Sequence, residues 1–255
     1  MSTTKIETIE ARAGGYRFIP GVSQYSGGVG ALPGFALERI RFARPIPLGA
    51  GFDRIAAIIK AAGLPLSAFC ACELRSPAPF TEVGFKEFNA AYTSVLSSWG
   101  IVVDGLNPVA RSNVCPEVQP PAEPSFHGFT YVVPAPNAPP SFMISGSGEA
   151  AEGSGDYRER IVRLGDTSPA GLREKAISVL REMERRMSAF SGNWPDTTAV
   201  QIYSVHDIFP FVEDELGKRG ALNNGLTWHF NRPPVVNLEY EMDCRRIHRE
   251  RVLEA

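Results

Sequence analysis

The chain lacks the features that would assign it to several functional classes outright. No apolar run approaches the roughly 18 residues of a membrane helix. The first residues carry Lys5, Glu7, Glu10 and Arg12 rather than a basic-then-apolar leader, so a cytoplasmic location with no membrane partner is expected. There is no block of Lys or Arg, and 26 basic residues face 28 acidic ones. The electrostatic footprint of a nucleic-acid binder is therefore missing. The four cysteines, Cys70, Cys72, Cys115 and Cys244, lack the paired C-x-x-C spacing of a zinc site. Inert buried thiols are expected, with Cys70 and Cys72 on one face of a strand, where side chains repeat every second residue. The Gly-rich stretch from Gly146 to Gly155 contains no G-x-x-x-x-G-K-[ST] and reads as a flexible loop. No His, Asp or Glu spacing argues for a metal.

What is present is ordinary globular composition, 44% apolar and 21% charged, which excludes a disordered or fibrous class. A length of 255 residues suits one large domain or two smaller ones. Residues 1–15 read as a loose lead-in. A Gly-rich turn at Gly27, Gly28, Gly30 and Gly34 precedes a strand from Phe35 to Pro47. Apolar residues at helical spacing from Phe52 to Ala62 predict a helix that stops at Gly63. A strand from Ala68 to Leu74, a helix from Phe85 to Ser98, and strands at Val109–Val118 and Ser125–Val133 follow. The proline-dense segment 135–140 is hostile to helix and reads as a linker.

After it the order returns. Strands are expected at Phe142–Gly146 and Tyr157–Leu164, a helix over Pro169–Phe190, and a strand at Thr198–Val205. A helix over Phe209–Arg219 and strands at Leu226–Asn231 and Val235–Cys244 complete the chain. The pattern predicts an α+β protein with one unit over 16–134 and a second over 141–255.

Tyr25-Ser26-Gly27-Gly28-Val29, Ala43-Arg44-Pro45-Ile46-Pro47, the Phe85–Tyr92 helix with Asn89, and Pro108-Val109-Ala110-Arg111-Ser112 occur in that order. Together they resemble the RidA/YjgF family of enamine and imine deaminases. In that family the corresponding motifs are Tyr-x-x-Gly-Val, Ser-Gly-Gln-Ile-Pro, Phe-x-x-x-Asn-x-x-Tyr and Pro-Ala-Arg-Ser. In the second half, Ile144-Ser145-Gly146-Ser147 is similar to the family's Ser-Gly strand, and Asn237-Leu238-Glu239-Tyr240-Glu241 to its closing strand.

The resemblance implies a tandem duplication of a chorismate-mutase-like, RidA-like domain, each a mixed sheet with two helices on one face. It also implies a homotrimer, sites in clefts between neighbouring domains, and no cofactor. The implied activity is hydrolysis of an enamine or imine of an unsaturated 2-amino acid, of 2-aminomuconate type, to the 2-oxo or 2-hydroxy acid and ammonia. Two other readings stay open: a general deaminase of 2-aminoacrylate-like imines, and a regulatory module that binds 2-oxo acids without turnover.

The residues suit that chemistry. Arg111 presents a planar fork suited to holding a substrate carboxylate bidentately, the alternative being a surface or structural salt-bridge Arg, and the motif around it favours the clamp. Glu239 takes the family's catalytic carboxylate role, positioning or deprotonating water. Equally, Glu239, Glu241 and Asp243 share one face of a strand and form its solvated side. His127 stands near the place of the corresponding Glu in the first half and titrates near neutrality, suiting a proton carrier or a hydrogen-bonded structural His. Tyr25, Asn89, Asn113, Ser145 and Gly146 are the expected substrate-binding residues, with Asn113 where the family often carries Cys.

Overall fold

The computed structural model describes residues 6–102, 105–151 and 156–254. Among these described residues, thirteen strands form two mixed sheets. They are β1 (Ile9–Ala11), β2 (Tyr16–Ile19), β3 (Gly28–Ala31), β4 (Phe35–Pro47), β5 (Phe69–Arg75), β6 (Ala110–Pro116) and β7 (Ser125–Pro134). After these come β8 (Phe142–Gly148), β9 (Ala199–Tyr203), β10 (Thr227–His229), β11 (Asn231–Arg232), β12 (Glu241–Arg246) and β13 (Arg249–Leu253). Sheet I runs β1-β2-β3-β8-β12-β9-β10, and sheet II runs β11-β6-β5-β7-β4-β13. Three long helices are α1 (Leu48–Ala61), α2 (Glu82–Ser98) and α3 (Pro169–Ser188). None of the described helices is long and apolar enough to cross a membrane.

The layering is helix, sheet, sheet, helix. One face of sheet II, through Phe42, Cys72, Leu74 and Phe129, packs on Phe52, Ile55 and Ile59 of α1 and on Tyr92 and Leu96 of α2. One face of sheet I, through Ile144, Val200, Ile202 and Met242, packs on Leu172, Ala176, Val179 and Met183 of α3. Between the sheets lies a smaller apolar layer of Phe18, Val29, Leu37, Val132 and Met143. Residues of period two thus feed alternately into the middle and an outer layer.

The inter-sheet space is not apolar throughout. Arg39 of β4 grips Glu73 of β5 bidentately at 2.5 and 2.8 Å and reaches Glu250 of β13 at 3.1 Å. Arg245 of β12 holds the same Glu250 at 2.6 and 3.1 Å. Asp243 accepts from Gln201 and the Tyr203 hydroxyl at 2.8 and 2.7 Å. Charges taken out of water are tolerated here because each is hydrogen-bonded to a partner.

Several expected elements stand, and others shift for identifiable reasons. β4 spans the expected Phe35–Pro47, and α1 ends just before Gly63, whose φ of 72° supplies the left-handed stop. Of the expected lead-in 1–15, Ile9–Ala11 is a strand paired with β2, while residues 1–5 lie outside the described set. Gly28–Ala31, read as a turn, is β3, bonded between β2 and β8. The sheets do not follow the expected boundaries at 134 and 141. β1–β3 enter sheet I beside β8, and β13 closes sheet II in parallel with β4. Segment 135–140 joins the two sheets.

Tyr157–Leu164 is not a strand: Arg158–Arg160 forms one 3-10 turn, and only Ile161 bridges, to Ala150. The helix expected over Phe209–Arg219 is broken into short α, π and 3-10 turns. Cys70 and Cys72 do not share a face. A bulge between Phe69 and Ala71 turns Cys70 to the inter-sheet layer while Cys72 faces α2. All four cysteines are buried and free.

A buried ion pair fixes the approach to β12. Lys175 of α3 donates to Glu149 at 3.0 Å, both side chains being wholly buried. The same carboxylate accepts the backbone N–H groups of Glu239 and Tyr240 at 2.7 and 3.1 Å. Lys175→Met leaves that carboxylate without its cation, and a loss of about 3 kcal/mol in urea unfolding is expected. A loss under about 1 kcal/mol would mean that the pair contributes no more than a surface one.

Candidate active site

A cavity of about 410 Å³ lies where the two sheets meet. Its walls come from the segment before β3 (Gln24, Tyr25), from α2 (Phe85, Asn89), from β6 (Arg111, Asn113), from β8 (Gly146, Ser147) and from β12 (Glu241). Tyr157, Arg160, Val235 and Leu238 close it.

The seam itself is stitched by hydrogen bonds. Ser26 N–H donates to Val109 at 2.9 Å, Arg111 N–H donates to Ser145 Oγ at 3.1 Å, and that hydroxyl donates to the Ser26 carbonyl at 2.6 Å. Ser145 therefore ties β6 to β8 and does not line the cavity.

Arg111 is 3% exposed, and its guanidinium sits in a cage of aromatic rings. Its Cζ lies 4.9 Å from the centroids of Tyr25 and Tyr92, 5.5 Å from Phe88 and 5.7 Å from Phe85. Phe85, Phe88, Asn89 and Tyr92 fall at i, i+3, i+4 and i+7 of α2, so one helix face presents them all. Thr81 caps that helix, its hydroxyl accepting from Gly84 N–H at 3.2 Å. The rings stabilise a desolvated cation without neutralising it.

Polar groups around the cage remain unpaired within the protein: Nη1 of Arg111, both amide atoms of Asn89, and Nδ2 of Asn113. Buried donors of this kind are costly unless a ligand satisfies them. Asn113 is held in place by its other amide atom, which accepts from Ser76 Oγ at 2.9 Å.

Glu241 is the carboxyl group that the sequence reading did not single out. It is buried, projects from the first residue of β12, and lies against Gly146. A Cβ at position 146 would fall 2.3 Å from its Oε1 and 3.0 Å from Ser112 Cβ, so glycine there gives the carboxyl its room. Burial, followed by the nearby Asp243 and Glu149, pushes the Glu241 pKa well above the ordinary carboxylate value, although Arg111 and Arg75 pull the other way. The shift favours the acid form of Glu241, in the same cavity as a guanidinium whose Nη1 has no partner in the protein.

Glu239 is not in the cavity. Asn237 takes a left-handed φ of 74° in the turn at 236–237, and the strand begins only at Glu241. Glu239 instead pairs with His206 Nε2 at 2.7 Å. His127 also lies away from the cavity, in the charged inter-sheet region, where burial and then Arg75 push its pKa down to about 2. It stays neutral in any physiological medium. His229 stacks on Tyr203 at 5.0 Å and bonds Gln201 at 3.1 Å, likewise outside the cavity. Of the expected residues, the fold brings together Arg111, Tyr25, Asn89, Asn113 and Gly146. It leaves out Glu239, His127 and Ser145. Glu241 shares the period-two face of Glu239 in sequence, and only the strand start separates their environments.

The raised pKa has a sign that can be measured. Folding favours the protonated form of Glu241, so its contribution is full below the ordinary value of 4.5 and is lost as pH rises through the folded value. Glu241→Gln is accordingly expected to be more stable than the wild type at pH 8, with the gap closing toward pH 4 in denaturant titrations. A variant less stable at pH 8 contradicts the assignment.

A family model described as 2-aminomuconate deaminase CnbZ matches residues 8–251. A 2-amino-5-chloromuconate deaminase from Comamonas testosteroni is 49% identical over 242 residues, covering 94% of this chain and 96% of that protein. A chorismatase crystal structure shares the fold at TM-score 0.54 and 11% identity, covering 89% of this chain and 79% of the other. The chain belongs to the 2-aminomuconate deaminase CnbZ family.

Proposed function

We propose that this protein hydrolyses the enamine of a 2-aminomuconate-type acid to the 2-oxo or 2-hydroxy acid and ammonia, without a cofactor. What supports the reading is Arg111, caged by rings and with Nη1 unpaired, in one cavity with a buried Glu241 whose pKa is raised. Arg111 binds the carboxylate next to the amino-bearing carbon, and the amides of Asn89 and Asn113 complete its shell. Glu241 protonates the conjugated carbon as the nitrogen lone pair forms the iminium. The resulting carboxylate takes a proton from water as its oxygen adds to the iminium carbon. Glu241 then protonates the nitrogen, and the C–N bond breaks as the carbinol oxygen forms the carbonyl and returns its proton to the carboxylate. Enamine and water thus become ketone and ammonia, with the acid regenerated.

Glu239 and His127 have no part in this scheme, and Tyr25 acts by packing under the guanidinium. A cavity of about 410 Å³ favours a six-carbon substrate over a three-carbon 2-aminoacrylate. We further infer that the chain is a tandem duplication of a RidA-like unit acting in the cytoplasm as a homotrimer. The support is the order strand, helix, strand, helical segment, strand in each half, with β4-α1-β5-α2-β6 answered by β8-α3-β9 and the irregular turns before β10.

With enzymatically generated 2-aminomuconate, ammonia release above the spontaneous rate is expected. Glu241→Gln should lower kcat by a factor of about 100 or more, whereas Glu239→Gln should change it less than about threefold. Equal losses in the two variants would return the acid role to Glu239 or to neither. Light scattering on the purified protein should give three times the chain mass, and a monomer would remove the trimer.

A further inference from the structure

Four cationic side chains line the cavity: Lys86, Arg111, Arg160 and Arg186. Arg186 is committed to Glu182 at 2.6 Å and to the carbonyls of Ser145 and Gly27 at 3.3 and 3.5 Å. Lys86 is exposed and adjoins Phe85 on α2, the helix that packs on Arg111. Arg160 stands apart. It belongs to a segment tied down by the Ala150–Ile161 bridge and by Ala151 N–H donating to its carbonyl at 3.1 Å.

Its side chain is braced as well. Nη1 donates to the Ala151 carbonyl at 2.7 Å and the guanidinium lies 5.3 Å from the centroid of Tyr157. Nε is buried with no acceptor, and among the described residues no carboxylate pairs with it. Tyr157 and Tyr25 line the same cavity, Tyr157 against Arg160 and Tyr25 against Arg111. Two guanidinium groups, each against a tyrosine ring, thus line one cavity, and among the described residues neither forms an ion pair with a carboxylate. One carboxylate on a ligand would answer only one of these two guanidinium groups.

We propose that Arg160 binds the far carboxylate of a conjugated diacid and so sets the preference for dicarboxylate over monocarboxylate dienamines. This rests on the reading of Arg111 as the clamp for the near carboxylate. A planar diene with a carboxylate at each end then spans the two arginines, with its reacting carbon beside Glu241. Arg160 is a specificity residue and takes no part in the proton transfers.

Muconate and sorbate test this directly, because they share a six-carbon diene skeleton and differ in having two carboxylates or one. Measured as competitive inhibitors of 2-aminomuconate deamination, muconate is expected to bind the wild type about 10- to 100-fold more tightly than sorbate. Arg160→Met should reduce muconate to the sorbate level, leave sorbate unchanged, and raise KM for 2-aminomuconate with kcat little altered. Arg160→Lys should restore part of the preference, and Lys86→Met should leave it intact. Equal weakening of both ligands by Arg160→Met, no weakening of either, or loss of the preference in Lys86→Met would each overturn the assignment. Absence of ammonia release from 2-aminomuconate in the wild type overturns the deaminase reading itself. Release without any muconate preference overturns only the role of Arg160.

Discussion

The site depends on a competition for the proton of Glu241. Arg111 and Arg75 favour the carboxylate, whereas burial, Asp243 and Glu149 favour the acid, and the second set prevails. Were Glu241 ionised, it would serve as the counter-charge for Arg111 and close the site to an anionic substrate. A raised pKa favours the acid form, which does not compete for the guanidinium and places a proton donor within the same cavity. A buried cation without an anion is costly, and the four rings around Arg111 offset part of that cost.

The fold supplies the rigidity such a balance requires. Sheet I contributes Glu241 and Gly146, and sheet II contributes Arg111 and Asn113. Each sheet also incorporates strands from the far end of the chain, β1–β3 in sheet I and β13 in sheet II. Glu250 bonds Arg39 of one sheet and Arg245 of the other, and Ser145 bonds across β6 and β8. Displacing one sheet against the other breaks part-buried charge-assisted hydrogen bonds and the buried Ser145 bond, so the two halves of the site hold their spacing.

Much of the site on α2 and β6 was legible in the sequence, because local rules determine it. Helical spacing placed Phe85, Phe88 and Tyr92 on one side of the expected helix, and the family motifs singled out Asn89 and Arg111. The acid was not legible, since Glu239, Glu241 and Asp243 share a strand period and only the left-handed Asn237 decides where pairing starts. One bulge at Cys70 likewise reversed an alternation that period two alone predicts. His127 was misplaced for another reason: its neighbours Arg75, Glu73 and Arg39 converge only in three dimensions. Arg160 and Tyr157 sat in a segment read as a strand, and nothing in the linear pattern connects them to Arg111. The strand exchange between sheets is a property of long-range pairing and left no local trace.

The most direct test is the protonation state of Glu241 in the folded protein at neutral pH, read by infrared difference spectroscopy on protein carrying isotope-labelled glutamate. The expected result is a protonated-carboxyl stretch in the wild type that disappears in Glu241→Gln and persists in Glu239→Gln. A carboxylate signal for Glu241 at neutral pH would contradict the account.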